Sequence, residues 1–322
     1  KFGYCTAEGD ACVAASDADC EQCEACAVDF FCVAMDGVCV PGSTEDCQKS
    51  QICQEFGQCT EQDGECIAAS DSDCAPSDAC KNLGYCAAIE NACVAGTDTH
   101  CEQSSVCAES GFCTEQEGLC VAGTDQGCAE SSACSNDGYC AAVDGACIAS
   151  TDAHCAQSTG CASEGRCAVS EELCIAASDT DCAPSLGCTS EGYCTAVNGE
   201  CTVGGDEDCA QSNRCVEEGY CVADGLQCAV SVAGCASATI CKTVGQCSVV
   251  GADCGVAGDA DCAGAEICTT LGLCAASDNT CIATLDSHCA PTDGCAQNGY
   301  CSAIDGACIA GTDADCTPTP SC

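Results

Sequence analysis

In the segment YCTAVNGECTV, residues 193–203, apolar and polar positions alternate on either side of an Asn-Gly pair, and close variants of this pattern return along the chain. Alternation with period two is the mark of a strand with one buried face. An Asn-Gly or Asp-Gly pair between two such runs favours a two-residue type I′ turn, because both central residues need positive φ. The turn sets Val197 opposite Glu200 and Ala196 opposite Cys201, and alternation places Cys194, Ala196, Cys201 and Val203 on one face. The same reading applies at Asp36-Gly37, Asp63-Gly64, Asp144-Gly145 and Asp305-Gly306. The two hairpin cysteines are diagonal rather than directly opposite, which favours bonds to other segments over a bond to each other.

Before each hairpin the pattern changes. In CAPSDACKNLGYC, residues 74–86, Pro76 and Ser77 precede a short run that ends at Gly84. Ser77 suits an N-cap and Gly84 a left-handed C-terminal stop, which predicts one or two turns of helix. The unit then reads as a short helix, a β-hairpin and an acidic loop.

The cysteines give this unit its period. Their spacings are 6, 7, 8 and 6 residues, as in Cys53, Cys59, Cys66, Cys74, Cys80, Cys86, Cys93 and Cys101, so the repeat is 27 residues long. Four cysteine positions in twelve copies account for all 49 except Cys23. Ending each copy at its first-type cysteine gives repeats over residues 1–26, 27–53, 54–80, 81–107, 108–134, 135–161, 162–188, 189–215, 216–241, 242–268, 269–295 and 296–322. The ninth is one residue short, between Cys228 and Cys235. The predicted fold class is a solenoid-like array of twelve small disulfide-rich repeats with little apolar core. A unit of this size cannot bury enough surface alone and must lean on disulfides and neighbours. One disulfide typically contributes about 2 to 4 kcal/mol, so two per repeat can replace the missing core.

Composition agrees. The chain has no Trp, one Met, six Tyr and five Phe, so its 47% hydrophobic fraction is mostly Ala and Cys. Cysteine at this density implies a disulfide scaffold and an oxidising compartment, hence a secreted or cell-surface protein. The first residue is Lys1 and no basic-then-apolar leader follows it, which reads as a processed mature chain. Six Lys plus Arg against 51 Asp plus Glu leave a formal charge of −45. Nucleic acid is excluded as a partner, because phosphate binding needs clusters of Lys and Arg. The longest uncharged stretch, Gly225 to Cys241, is too short and too polar to span a membrane. The acid-poor stretch from Leu226 to Val250, with Lys242 its only charge, is a candidate lateral contact.

Candidate chemistry is sparse. An S/T-D-x-D motif precedes the fourth cysteine in several copies, giving Asp17 and Asp19, Asp71 and Asp73, Asp179 and Asp181, and Asp313 and Asp315. Carboxylates in this arrangement can coordinate calcium, or they can bond backbone amides in a turn. His100, His154 and His288 replace the second Asp, which favours the backbone role. Thiolate metal storage is disfavoured, since only Cys20, Cys23 and Cys26 approach C-x-x-C spacing. No nucleophile has a histidine partner and no copy stands out as an active site, so the chain reads as non-enzymatic and without a cofactor. The six tyrosines all directly precede a second-type cysteine, a place from which they can pack over a neighbouring unit and shield its disulfide.

Both chain ends fall in the repeat register, and a second copy placed head to tail would continue it with a gap of one residue. Ends that match each other make heterologous contacts, and hence rings or open filaments. Cys23 stands where other copies have a capping Ser, a place expected near the surface. With Cys322 it is a candidate for a bond between copies.

The string G-Y-C-x-A-x-x-G-x-C-[IV]-A-[AG]-[ST]-D-x-D-C, as in residues 299–316, resembles the short cysteine-rich tandem arrays of predicted secreted proteins in myxobacteria and related bacteria. The resemblance covers the whole chain and implies a secreted bacterial origin, with no particular activity. The expectation is an extracellular structural protein that assembles with itself head to tail into a filament or appendage, with loop Ser and Thr available to O-glycans. The alternative is a monomeric rigid surface stalk or adhesin with calcium-binding acidic loops.

Overall fold

The computed structural model of the protein describes residues 6–8, 11–21 and 24–316. Contacts divide the chain into two compact units, residues 1–158 with 169–174 and residues 159–168 with 175–322. Each is built from copies of one helix–hairpin cassette, as the cysteine period predicts.

In the first unit, the cassette around Cys74 shows how local sequence produces the elements. Ser70 is extended (φ −157°) and starts a helical turn over Asp71–Cys74, where its side chain and that of Asp73 form a reciprocal capping box. A second helix follows over Asp78–Leu83. Its N-cap is Ser77, whose Oγ accepts from the Cys80 amide, and its C-cap is Gly84, left-handed at φ 76°. Strands Ala87–Ile89 and Ala92–Val94 then pair antiparallel, with Ala88 opposite Cys93. The turn residues Glu90 and Asn91 have φ values of 51° and 68°. The type I′ geometry therefore persists where the favoured glycine is absent, because pairing on both sides over-determines it.

Two parts of this cassette correct the sequence reading. The acidic segment before the fourth cysteine is a helical turn rather than a loop, so each unit carries two short helices before its hairpin. The capping serine is not near the surface. Ser50, Ser77, Ser185 and Ser212 are fully buried, and Ser104, Ser131 and Ser158 nearly so. Each faces inward because it serves both helices: Ser77 Oγ donates to the Cys74 carbonyl at 2.7 Å and caps the helix that follows. Cys23 itself lies outside the described residues, as does Cys322.

Sulfur supplies the core. Disulfides join cysteines 19 or 6 residues apart, as in Cys74–Cys93 and Cys80–Cys86. The same rule pairs Cys47 with Cys66, Cys53 with Cys59 and Cys101 with Cys120. Hairpin cysteines thus bond to the helices and not to each other. Both bonds of a cassette close within one stretch from a fourth-type cysteine to the next third-type one. This closed segment is shifted from the repeats drawn above, whose boundaries both kinds of bond cross. Fourth-type cysteines from Cys20 to Cys289 are fully buried.

Neighbouring cassettes meet through backbone. The Ala68 amide donates to the Asn91 carbonyl at 2.9 Å, and the Ala95 amide to the Gly118 carbonyl at 2.9 Å. Gly84 packs so tightly that a Cβ there would lie 2.7 Å from Cys120 Sγ and 2.9 Å from the His100 carbonyl oxygen.

The second unit repeats these features. Its hairpin Thr195–Val197 with Glu200–Thr202 has the expected register, Val197 opposite Glu200 and Ala196 opposite Cys201. The Ala176 amide reaches the Gly199 carbonyl at 2.9 Å. The one-residue deletion falls just before helix Val232–Ser237, which Ser231 still caps through the Gly234 amide. Tyr193 and Tyr220 pack against Val203 and the Cys209–Cys228 disulfide, and in the first unit Tyr139 packs against the Cys155–Cys174 disulfide. Tyr139 and Tyr193 therefore cover the disulfide of the following cassette, and Tyr220 that of its own.

Candidate functional site

The conspicuous chemical groups are the aspartates at the start of the first helices, paired in copies such as Asp17 with Asp19, Asp71 with Asp73 and Asp179 with Asp181. They stand at the first and third helical positions, and residues two apart on a helix do not face each other. Their roles accordingly differ.

The first aspartate reaches forward. Asp71 Oδ1 accepts from the Ala88 amide at 2.8 Å, and Asp17 and Asp179 do the same for Ala34 and Ala196 at 2.8 Å. This bond spans 17 residues and recurs from Asp98, Asp125, Asp152, Asp206, Asp259 and Asp286. It fastens the first helix to the middle of the hairpin in the same cassette. Where Thr44 replaces the aspartate, its hydroxyl accepts from the Glu61 amide at 3.2 Å instead. Sequence reasoning missed this bond. Its signal was the strict 17-residue offset between an Asp and the middle of a strand.

The second aspartate reaches back to cap its own helix. Asp73 Oδ2 accepts from the Ala69 amide at 2.9 Å and the Thr60 hydroxyl at 3.0 Å. Asp19 accepts from Ala15 and Ser16, and Asp181 from Ala177 and Ser178. Asp315 accepts from the Ser302 hydroxyl at 2.7 Å and the Gly311 amide at 2.8 Å. The hydroxyl bond from Ser302, then the backbone bond from Gly311, hold the Asp315 carboxyl below its ordinary value. Asp313 occupies the forward-reaching position of the last described helix, Asp313–Cys316.

Histidine at the second position keeps part of this role in two copies, whereas His288 Nδ1 is buried without a hydrogen-bond partner. His100 Nδ1 accepts from the Gly96 amide at 3.4 Å, and His154 Nδ1 lies 3.4 Å from the Ser150 hydroxyl. Among the described residues, no group of three or more His, Cys, Asp or Glu side chains converges as a metal site would. Of the carboxylates named from sequence for calcium, Asp17, Asp19, Asp71, Asp73, Asp179, Asp181 and Asp315 accept hydrogen bonds, drawn from different segments.

The second unit holds the one cation–aromatic contact among the described residues. The Arg214 guanidinium lies 3.9 Å from the centroid of the Tyr220 ring and pairs with Glu191 at 3.0 Å and Glu218 at 3.5 Å. The Tyr220 hydroxyl donates to Asp253. That bond to Asp253, with partial burial, raises the Tyr220 hydroxyl above its ordinary value. For Arg214, burial opposes the charge, but Glu191 and Tyr220 outweigh it and its value rises. Among the described residues no helix is long and apolar enough to cross a membrane. No family model, curated protein or solved structure matches the chain.

Proposed function

We propose that the protein is a non-catalytic extracellular structural subunit, and that copies assemble head to tail into a disulfide-braced filament. The observation that carries this reading is the joint between cassettes. At joints such as that after Cys93, a cassette offers its successor a left-handed glycine, Gly84, and the amide after its hairpin, Ala95, and the successor meets them with the Cys101–Cys120 disulfide and the Gly118 turn carbonyl. These surfaces are complementary and unlike, so the contact is heterologous and extends in one direction. The density of disulfides calls for an oxidising environment, which supports secretion, as does the resemblance to secreted bacterial arrays. The acidic surface would keep assembled fibres apart, with screening beyond roughly 8 Å at physiological salt. Cys23 and Cys322 are the candidates for bonds between copies.

Negative-stain microscopy of the purified chain, with non-reducing gels run in parallel, tests the proposal. Filaments of uniform width and a reductant-sensitive ladder of multimers are the expected result. Isolated monomers across a range of salt and pH would overturn it.

A further inference from the structure

Tandem copies allow one cassette to be compared with the next, and the cassette around Gly187 departs from its neighbours. Its second helix is a π-turn over Gly187–Glu191, the one such turn among the described residues. Single π-turns recur at functional sites. Beside it lies a cavity of ≈390 Å³ whose walls include Glu164, Arg166, Gly187, Tyr193 and Glu200. That volume falls in the range of small-ligand pockets.

The following cassette shows what such a space holds. One period of 27 residues carries Glu164 onto Glu191, Gly187 onto Arg214 and Tyr193 onto Tyr220. There the Arg214 guanidinium sits over the Tyr220 ring and pairs with Glu191. In the Gly187 cassette the carboxylate and the ring are present, but the side chain between them is not. A Cβ at Gly187 would lie 3.3 Å from the Ser163 carbonyl oxygen and 3.6 Å from Tyr193 Cδ2, so position 187 stands against the edge of the ring, and both residues line the cavity. Other tyrosines lack this combination. Tyr300 also faces a glycine, Gly294, but Leu271 holds the position of Glu164; for Tyr85 and Tyr139 that position is Phe56 and Ser110. Charge points the same way. Arg166 pairs with Glu164 at 2.9 Å, and Glu200 lines the same space, which leaves the walls with one carboxylate in excess. We propose that this cleft binds one guanidinium group, the side chain of an arginine in a partner peptide, stacked on Tyr193 and facing Glu200 and Glu164, the latter shared with Arg166. The proposal does not depend on whether copies assemble.

N-acetylarginine amide, titrated into the full chain carrying ¹³C-labelled tyrosine, probes the site, and the neutral citrulline analogue is the control. The expected result is saturable binding of one equivalent that shifts the Tyr193 ring resonances, with no response to citrulline. Gly187→Arg, which supplies its own guanidinium as Arg214 does, weakens binding at least about tenfold. Glu164→Gln, at a largely exposed side chain, makes the same test if the arginine variant folds poorly. Arg214→Ala opens the equivalent space beside Tyr220 and Glu191 and raises the stoichiometry to two. Unsaturating shifts spread over all six tyrosines, the sign of diffuse attraction to an acidic surface, would overturn the proposal. So would unchanged affinity in both Gly187→Arg and Glu164→Gln.

Discussion

Gly84 carries two constraints at once. Its φ of 76° is a conformation that costs an L-residue roughly 1–2 kcal/mol, and its missing Cβ leaves room for Cys120 Sγ. Eleven copies have glycine at this place, and the twelfth, Phe30, adopts φ 60° all the same. The cassette contacts hold the left-handed bend even where the side chain opposes it. Gly84→Ala is expected to destabilise the surrounding cassettes by about 3 kcal/mol, combining strain with overpacking. Urea unfolding, together with loss of amide protection around Cys101 and Cys120, checks this. The glycine was legible in the sequence as a helix stop. Its second duty was not, because the sulfur it touches lies 36 residues away. The buried capping serine was likewise recognisable as a cap and not as buried, since its inward direction follows from the second helix it serves.

The short helices owe their position to carboxylates more than to propensity. Isolated helices of five or six residues are not stable in water, and here first helices such as Asp71–Cys74 and Asp179–Cys182 are fastened by one aspartate that caps the helix and another that grips the hairpin. Asp98→Ala removes the acceptor of the Glu115 amide at 2.8 Å. The expected loss is about 1 kcal/mol, read as roughly fivefold faster hydrogen exchange at Glu115. Asp315 makes the capping role depend on pH. Its folded carboxyl titrates below its unfolded value, so its contribution is complete above the ordinary aspartate value of about 3.9 and is lost as pH falls through the lower, folded one. The stability advantage of the parent chain over Asp315→Asn is therefore expected at pH 6 and should shrink as the pH falls below the ordinary aspartate value, as measured by thermal melting. Alternation and turn chemistry announced the hairpins, with the correct register at Ala196 and Cys201. The acidic helix escaped notice because five residues hold too little of a 3.6-residue period to be read.

Across the whole molecule, stability rests on cross-links. Every described third-type cysteine from Cys39 onward is tied to a fully buried fourth-type partner, whereas most of the six-residue pairs remain partly exposed. Access controls thiol–disulfide exchange, so limited reductant is expected to open pairs such as Cys80–Cys86 before Cys74–Cys93, as alkylation and peptide mapping would show. Full reduction should abolish cooperative melting, and a calcium chelator should leave it unchanged. The period, the hairpins and the need for disulfides were written in the order of residues, because turn preference and cysteine spacing are local properties of the chain. Which cysteines pair, where the aspartates point and why the serines are buried depended on the folded cassette. The disulfides join residues 6 or 19 apart and the forward-reaching aspartates bond 17 residues on, and only the packing of helix on hairpin brings such segments together and turns the serines inward.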